Sequence, residues 1–132
     1  MDSAETTYRD TMLAIAGRLE GYRAKYEAGR DSRAVFAHAY ALISRRLADE
    51  LLRGGFSDPA WIVSLDEALA KRYFDALDAF DQNRPLPKAW EHVFGAICRE
   101  RSSVLEDLVY SMAAHIVHDL PLALVDVEFT SK

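Results

Sequence analysis

The chain has 132 residues, of which 50% are hydrophobic and 28% are charged, a composition typical of soluble globular proteins. This length predicts one helical domain over residues 1–132, large enough for a hydrophobic core without disulfides or metal. The net charge of −5 argues against a nucleic-acid partner, because phosphate binding requires a basic face.

Apolar residues recur every three or four positions from the start of the chain, a spacing that predicts helices. The first helix should run from about Ala4 to Ala28. Its apolar seam is Tyr8, Met12, Ile15, Leu19, Tyr22 and Tyr26. The second helix should cover about residues 33–53. Its predicted buried face is Phe36, Tyr40, Ile43, Leu47 and Leu51.

A third helix is predicted from Pro59 to about Asp81, with Asp58 as its N-cap. Its predicted apolar stripe is Ile62, Leu65, Leu69, Tyr73, Leu77 and Phe80. A row of aspartates, Asp66, Asp75, Asp78 and Asp81, favours a solvated acidic edge over a magnesium site. A fourth helix, about residues 87–99, should turn Trp90 and its apolar neighbours inward.

The fifth helix should begin at a capping box formed by Ser103 and Glu106. Residues 104–117 are apolar on most sides, which is typical of a buried helix. We therefore predict an all-α fold, a helical bundle of five to six helices around a central apolar helix at about 103–118. Trp61, Trp90, Leu108 and Met112 should share one core. Residues 122–129 are predicted as a short sixth helix or an extended tail, and no segment shows sustained strand alternation.

The end of the fifth helix carries the candidate site. His115, His118 and Asp119 are three and four residues apart, so they can share one helix face. Pro121 predicts that the helix ends or kinks near Asp119. In a functional interpretation, the three residues bind a divalent metal such as zinc or move a proton. In a structural one, each histidine hydrogen-bonds a neighbouring helix and Asp119 caps the next helix.

The functional interpretation assigns roles to six residues. His115, His118 and Asp119 are the catalytic candidates, and His115 and His118 are the metal-ligand candidates. His38, Tyr40 and Tyr73 are the further ligand-binding candidates.

Several blocks of the chain are similar to one known family. They are residues 36–45, 56–66, 72–77, 87–94 and, above all, 112–124. These blocks resemble an uncharacterised bacterial, largely actinobacterial, all-helical domain family of unknown function, whose hallmark is Ala-His-Ile-x-His-Asp-Leu-Pro-Leu-Ala. The resemblance covers about residues 34–125. It implies an all-helical fold in which His115, His118 and Asp119 are the most distinctive polar residues.

The chain departs from that family in two ways. The family has asparagines where this chain has Ala113 and Val117, and it tends to have one near Ala37. Family members usually continue well past Phe129 with further helices, so this chain looks short at its C-terminal end. A site completed by those helices would be incomplete here. The resemblance therefore implies a fold and a motif, but no activity.

These observations predict a small-ligand- or metal-binding helical domain with a His/Asp pocket at the end of the fifth helix. Its enzymatic form would be metal-assisted or acid–base hydrolysis. The alternative is a non-catalytic interaction module, with structural histidines, that forms a homodimer through residues 121–129. The single cysteine favours a reducing cytoplasm. No run approaches the ~20 apolar residues of a membrane span, so we expect a cytoplasmic protein without membrane contact.

Overall fold

The computed structural model describes residues 3–100 and 102–130, and in this part of the chain every regular element is helical. The elements are α1 (Ser3–Ala28), α2 (Arg33–Leu52), α3 (Pro59–Asp81), α4 (Lys88–Cys98), α5 (Val104–Ala113), a π-helical segment (Ala114–Asp119) and α6 (Leu120–Thr130). Helices account for 84% of the described residues. The predicted all-α bundle is confirmed.

The helix starts and the α1 seam follow the local sequence. Met12, Leu19 and Tyr26 of the seam are buried, and α1 packs along α2. The Asp58 carboxylate accepts a hydrogen bond from the Trp61 backbone N–H, which begins α3. The capping box of α5 is also present, with Ser103 accepting from the Glu106 N–H. These caps satisfy backbone donors that the first turn of a helix leaves free.

The expected helix end near Asp119 is wrong, because one long helix continues from α5 through the π-helical segment into α6. In an α-helix, Pro121 would lack a backbone donor and its ring would clash with the carbonyl four residues back. Here Ala114–Asp119 are π-helical, and the N–H of Leu120, the residue before Pro121, donates to the His115 carbonyl, five residues back. In a π-helical turn the backbone N–H groups bond to carbonyls five residues back. A hydrogen bond to the carbonyl four residues back is therefore not needed at this point, and proline fits inside the helix.

The long helix contacts α2, α3 and α4, but the prediction that it is buried on most sides is wrong. Its buried side chains follow a spacing of four residues and most are polar. They are Asp107, Ser111, His115, Asp119, Ala123 and Val127, with Ala114 buried beside this stripe. Four residues rotate an α-helix about 40° beyond one turn. The π-helical segment, with more residues per turn, offsets that drift and keeps the stripe facing the bundle.

The apolar side chains of the long helix face outward instead. Leu105, Val109, Met112, Ile116 and Val117 are all exposed, Val117 by 74%. The predicted shared core is therefore only partly correct: Trp90 is fully buried, whereas Trp61 and Met112 are exposed. Leu108 packs partly buried against the core. Ile43, predicted to be buried on α2, is also exposed.

Because α5 and α6 are continuous, residues Val104–Glu128 form a helix long and apolar enough to cross a membrane by length and composition alone. The expectation that no run reaches that length is therefore wrong. Only 28% of its most apolar window is buried. One such helix is weak evidence by itself, because the criterion uses length and composition only.

Candidate functional site

The three polar residues predicted at the end of the fifth helix meet in the structure. Asp119, which is 1% exposed, is the centre of the cluster. One carboxylate oxygen lies 3.2 Å from Nδ1 of His115 and accepts the indole N–H of Trp90 at 2.8 Å. The other oxygen lies 2.9 Å from Nδ1 of His118. Asp119 therefore joins α4 to the long helix and does not cap a following helix.

The His115 ring lies in an aromatic enclosure. The centroids of Phe36, Tyr40, Tyr73 and Trp90 are 4.8–6.3 Å from the imidazole centroid. Because Nδ1 faces a carboxylate, the tautomer that donates from Nδ1 to Asp119 fits this contact, and in that tautomer Nε2 is an acceptor. That Nε2 atom is buried and has no hydrogen-bond partner within the described residues. An unpaired buried polar atom is costly, which makes it a candidate contact for a ligand or water.

A second buried carboxylate, Asp66 of α3, lies near His115. Asp66 is 7% exposed, and its Oδ1 accepts a hydrogen bond from the Tyr40 hydroxyl at 3.0 Å. Its Oδ2 atom is buried and, in residues 3–100 and 102–130, has no partner. The two polar residues with free atoms thus come from different helices and converge.

Both residues line one cavity of about 240 Å³, which we call the His115 cavity. Its remaining wall is mainly apolar, with Phe36 and Ile43 from α2, Leu69 from α3, and Met112 and Ile116 from the long helix. Ile43, Met112 and Ile116 are about half exposed. The cavity therefore opens between α2 and the long helix. An apolar cavity with a few converging polar groups is typical of a small-molecule site.

Burial raises the pKa of the Asp66 carboxyl above its ordinary value, although the Tyr40 hydrogen bond opposes that shift. The folded chain therefore binds this proton more tightly than the unfolded chain, and Asp66 costs stability as pH rises through the interval between the two pKa values. Asp66→Asn keeps an oxygen that can accept from Tyr40 but removes the titration.

We expect the free energy of unfolding of Asp66→Asn to increase relative to that of the native chain as pH rises from about 4 to about 7. Chemical denaturation at several pH values, followed by circular dichroism, measures the difference. A difference that is constant over this range, or that moves in the opposite direction, would contradict the buried state of Asp66.

The other predicted site residues lie in different places. Tyr40 lines the His115 cavity, and Tyr73 contacts the His115 ring from the core. The structure does not bring His38 to the cluster: its side chain is 45% exposed, its Nδ1 lies 3.3 Å from Glu20, and it does not line the cavity. His118 lines two other cavities, one against α4 and one beside Arg84 and Pro85.

The metal hypothesis finds little support in this geometry. Both His115 and His118 contact the Asp119 carboxylate through Nδ1, and their side chains line different cavities. Among residues 3–100 and 102–130, no group of three or more His, Cys, Asp or Glu side chains is placed to hold a metal ion. A zinc site usually needs three or four protein ligands converging on one point.

Two residues of the cluster were not predicted as part of it. Trp90 was expected only as core, and Asp66 was assigned to a solvated edge. The spacing of Asp66 gives a signal, since Val63, Asp66, Ala70, Tyr73 and Leu77 form a buried stripe on α3 with three- and four-residue steps. An aspartate within such a stripe is a candidate buried polar group.

The fold and the cluster define an all-helical domain with a buried histidine–aspartate pair beside a small apolar cavity. Residues 13–132 match the model of a family of unknown function, DUF5995, and the chain belongs to that family. No curated protein and no solved structure matches the chain.

Proposed function

We propose that the chain is a small-ligand-binding helical domain and that its site is the His115 cavity. One observation carries the proposal: the buried Nε2 atom of His115 has no partner in the described residues, while Asp119 holds the opposite nitrogen. The motif from Ala114 to Leu120 then has a function, because it places His115 at the cavity and Asp119 behind it. The structural alternative is that an ordered water molecule hydrogen-bonds to the same Nε2 atom.

The same geometry supports an enzymatic form of the proposal. The Asp119 carboxylate fixes the ring so that Nε2 is the free base, as in other carboxylate–histidine pairs. His115 would take a proton from a substrate or water in acid–base hydrolysis. Asp119 would be a positioning residue, with Trp90 and His118 holding its two oxygens. His118 itself lines other cavities and would not reach the same ligand.

The proposal predicts saturable binding of at least one of three probes, n-hexylamine, n-hexanol and n-hexanoic acid. The probes share an apolar chain and differ only in the polar group. Nuclear magnetic resonance titration should shift the methyl signals of Leu69, Met112 and Ile116, which line the cavity. Ala39→Phe should abolish the shifts by filling the cavity, whereas Ala60→Phe, at an exposed position on α3, should not.

Absence of saturable shifts with all three probes in the native chain would refute the proposal. Zinc chloride added alone tests the metal hypothesis separately. A rise in melting temperature that the His115→Ala/His118→Ala double variant lacks would favour a metal site, since only a site binding the folded state stabilises it.

The exposed apolar face of the long helix favours a second candidate function, an interaction module that binds a second copy of this chain. Leu122, Leu124 and Val125 are exposed in the predicted dimer segment, and the Phe129 side chain lies outside the described part. Contiguous apolar surface of more than a few hundred Å² usually marks an interface. Residues 104–128 contain five acidic residues and no lysine or arginine, which disfavours an anionic membrane surface as the occupant.

The dimer candidate predicts a solution mass of about twice 14.9 kDa by light scattering at micromolar concentration. Val117→Lys should give a monomer with unchanged stability, because this side chain is exposed in the single chain. A monomeric native chain would count against the dimer. Association of that monomer with neutral phosphatidylcholine vesicles would assign the apolar face to a membrane instead.

A further inference from the structure

The free polar atoms at the His115 cavity are both hydrogen-bond acceptors. Nδ1 of His115 donates to Asp119, which leaves Nε2 with a lone pair. Asp66 accepts from Tyr40 through Oδ1, which leaves Oδ2. The side chains are 4% and 7% exposed, respectively. A ligand that satisfies both atoms must bring at least two hydrogen-bond donors on one group.

The charge balance at the cavity is also incomplete. In the part of the chain that the structure describes, no lysine or arginine lines the His115 cavity. Within the described residues, the carboxylate makes no ion pair. Buried carboxylates are normally paired with a cation. A positively charged ligand group would therefore find an uncompensated negative partner in a water-poor setting.

The other residues that line the His115 cavity indicate which kind of ligand body carries the positively charged group. Phe36 and Tyr40 offer aromatic rings beside the polar atoms, and ring faces attract ammonium groups. Leu47, Leu69 and Ile116 supply an aliphatic surface towards the opening. The volume of about 240 Å³ lies below the ≈ 300–1,000 Å³ of typical ligand pockets, which suits a small molecule with a short apolar chain or ring.

We infer that the ligand of the His115 cavity is a small primary amine with an apolar body, bound as an ammonium ion between Asp66 and His115. One N–H donates to Oδ2 of Asp66 and a second to Nε2 of His115, while the apolar body occupies the aliphatic part of the cavity. This inference rests on the proposed function and adds the chemical class of the ligand. A carboxylic acid would place a second negative charge beside Asp66, and an alcohol has only one donor.

Isothermal titration calorimetry with the full chain tests the inference at about pH 7, using n-hexylamine, n-hexanol and n-hexanoic acid in competition. The native chain should bind the amine at least about 10-fold more tightly than the alcohol or the acid, as expected for a charged hydrogen bond. Asp66→Asn should weaken amine binding by about 10- to 100-fold and alter alcohol binding much less. The control Asp75→Asn, at an exposed position on the same helix, should leave amine binding unchanged.

The possible outcomes separate the two proposals. Equal or tighter binding of the alcohol or acid would overturn the amine inference and leave the proposed function standing. Unchanged amine affinity in a folded Asp66→Asn would overturn it as well. Failure of all three probes would remove both proposals. The comparison of probes on the native chain needs no variant, so the test survives even if Asp66→Asn does not fold.

Discussion

Asp119→Ala should lower the free energy of unfolding by about 3–5 kcal/mol, the cost of breaking a buried charged hydrogen-bond cluster. The carboxylate lies at the contact between α4 and the π-helical segment and accepts from Trp90, His115 and His118. Removing it leaves the Trp90 and His115 donors buried without an acceptor. Chemical denaturation followed by circular dichroism measures the loss, a large fraction of a typical total stability of 5–15 kcal/mol.

Two further variants identify the cause of that loss. Asp119→Asn keeps the shape and one good acceptor but places an amide donor beside other donors, so its stability should lie between those of Asp119→Ala and the native chain. Asp75→Ala removes an exposed aspartate paired with Lys71 at 2.6 Å and should change stability by less than about 1 kcal/mol. Equal losses for Asp119→Ala and Asp75→Ala would refute the central role of Asp119.

Helical spacing correctly predicted that His115 and Asp119, four residues apart, share a face and meet. His118, the sequence neighbour of Asp119, reaches the other carboxylate oxygen and lines different cavities. The same pattern did not predict which face of the long helix is buried. Residues 104–117 are apolar on most sides, so hydrophobicity gave almost no direction for the inner face. The direction is determined by Trp90, which is 29 residues from Asp119 in the chain, and a local window does not contain such partners.

The α3 helix shows a related limit. In the second half of α3 the predicted residues Tyr73 and Leu77 are buried. In the first half the predicted stripe selected the large residues Ile62, Leu65 and Leu69, whereas the buried face is Val63, Asp66 and Ala70. Small and polar residues contribute little to a hydrophobic pattern, yet they permit close helix packing and hydrogen bonding. Asp66 is buried because the Tyr40 hydroxyl on α2 bonds it, a pairing that depends on tertiary structure.

Trp90→Ala should lower the free energy of unfolding by about 3–5 kcal/mol, the range for truncating a large aromatic residue in a core. Trp90 is fully buried. Its ring centroid lies 4.9 Å from that of Phe94 and 5.3 Å from that of Tyr73. Its indole N–H also donates to Asp119, so the truncation both opens a cavity and removes a donor from the cluster. Denaturant unfolding followed by circular dichroism gives the loss.

The second tryptophan is a matched control, because Trp61 is 38% exposed at the start of α3. Trp61→Ala should cost less than about 1.5 kcal/mol, since little of its packing is in the core. Trp90→Phe separates the two contributions of Trp90: it keeps most of the packing and loses the Asp119 bond, so it should cost about 1–3 kcal/mol. Equal losses for the two alanine variants would mean that α4 does not pack against His115 and Asp119 as described. A Trp90→Phe variant as stable as the native chain would mean that the indole bond to Asp119 contributes nothing, and the predicted loss in Asp119→Ala would then have to arise from the histidines alone.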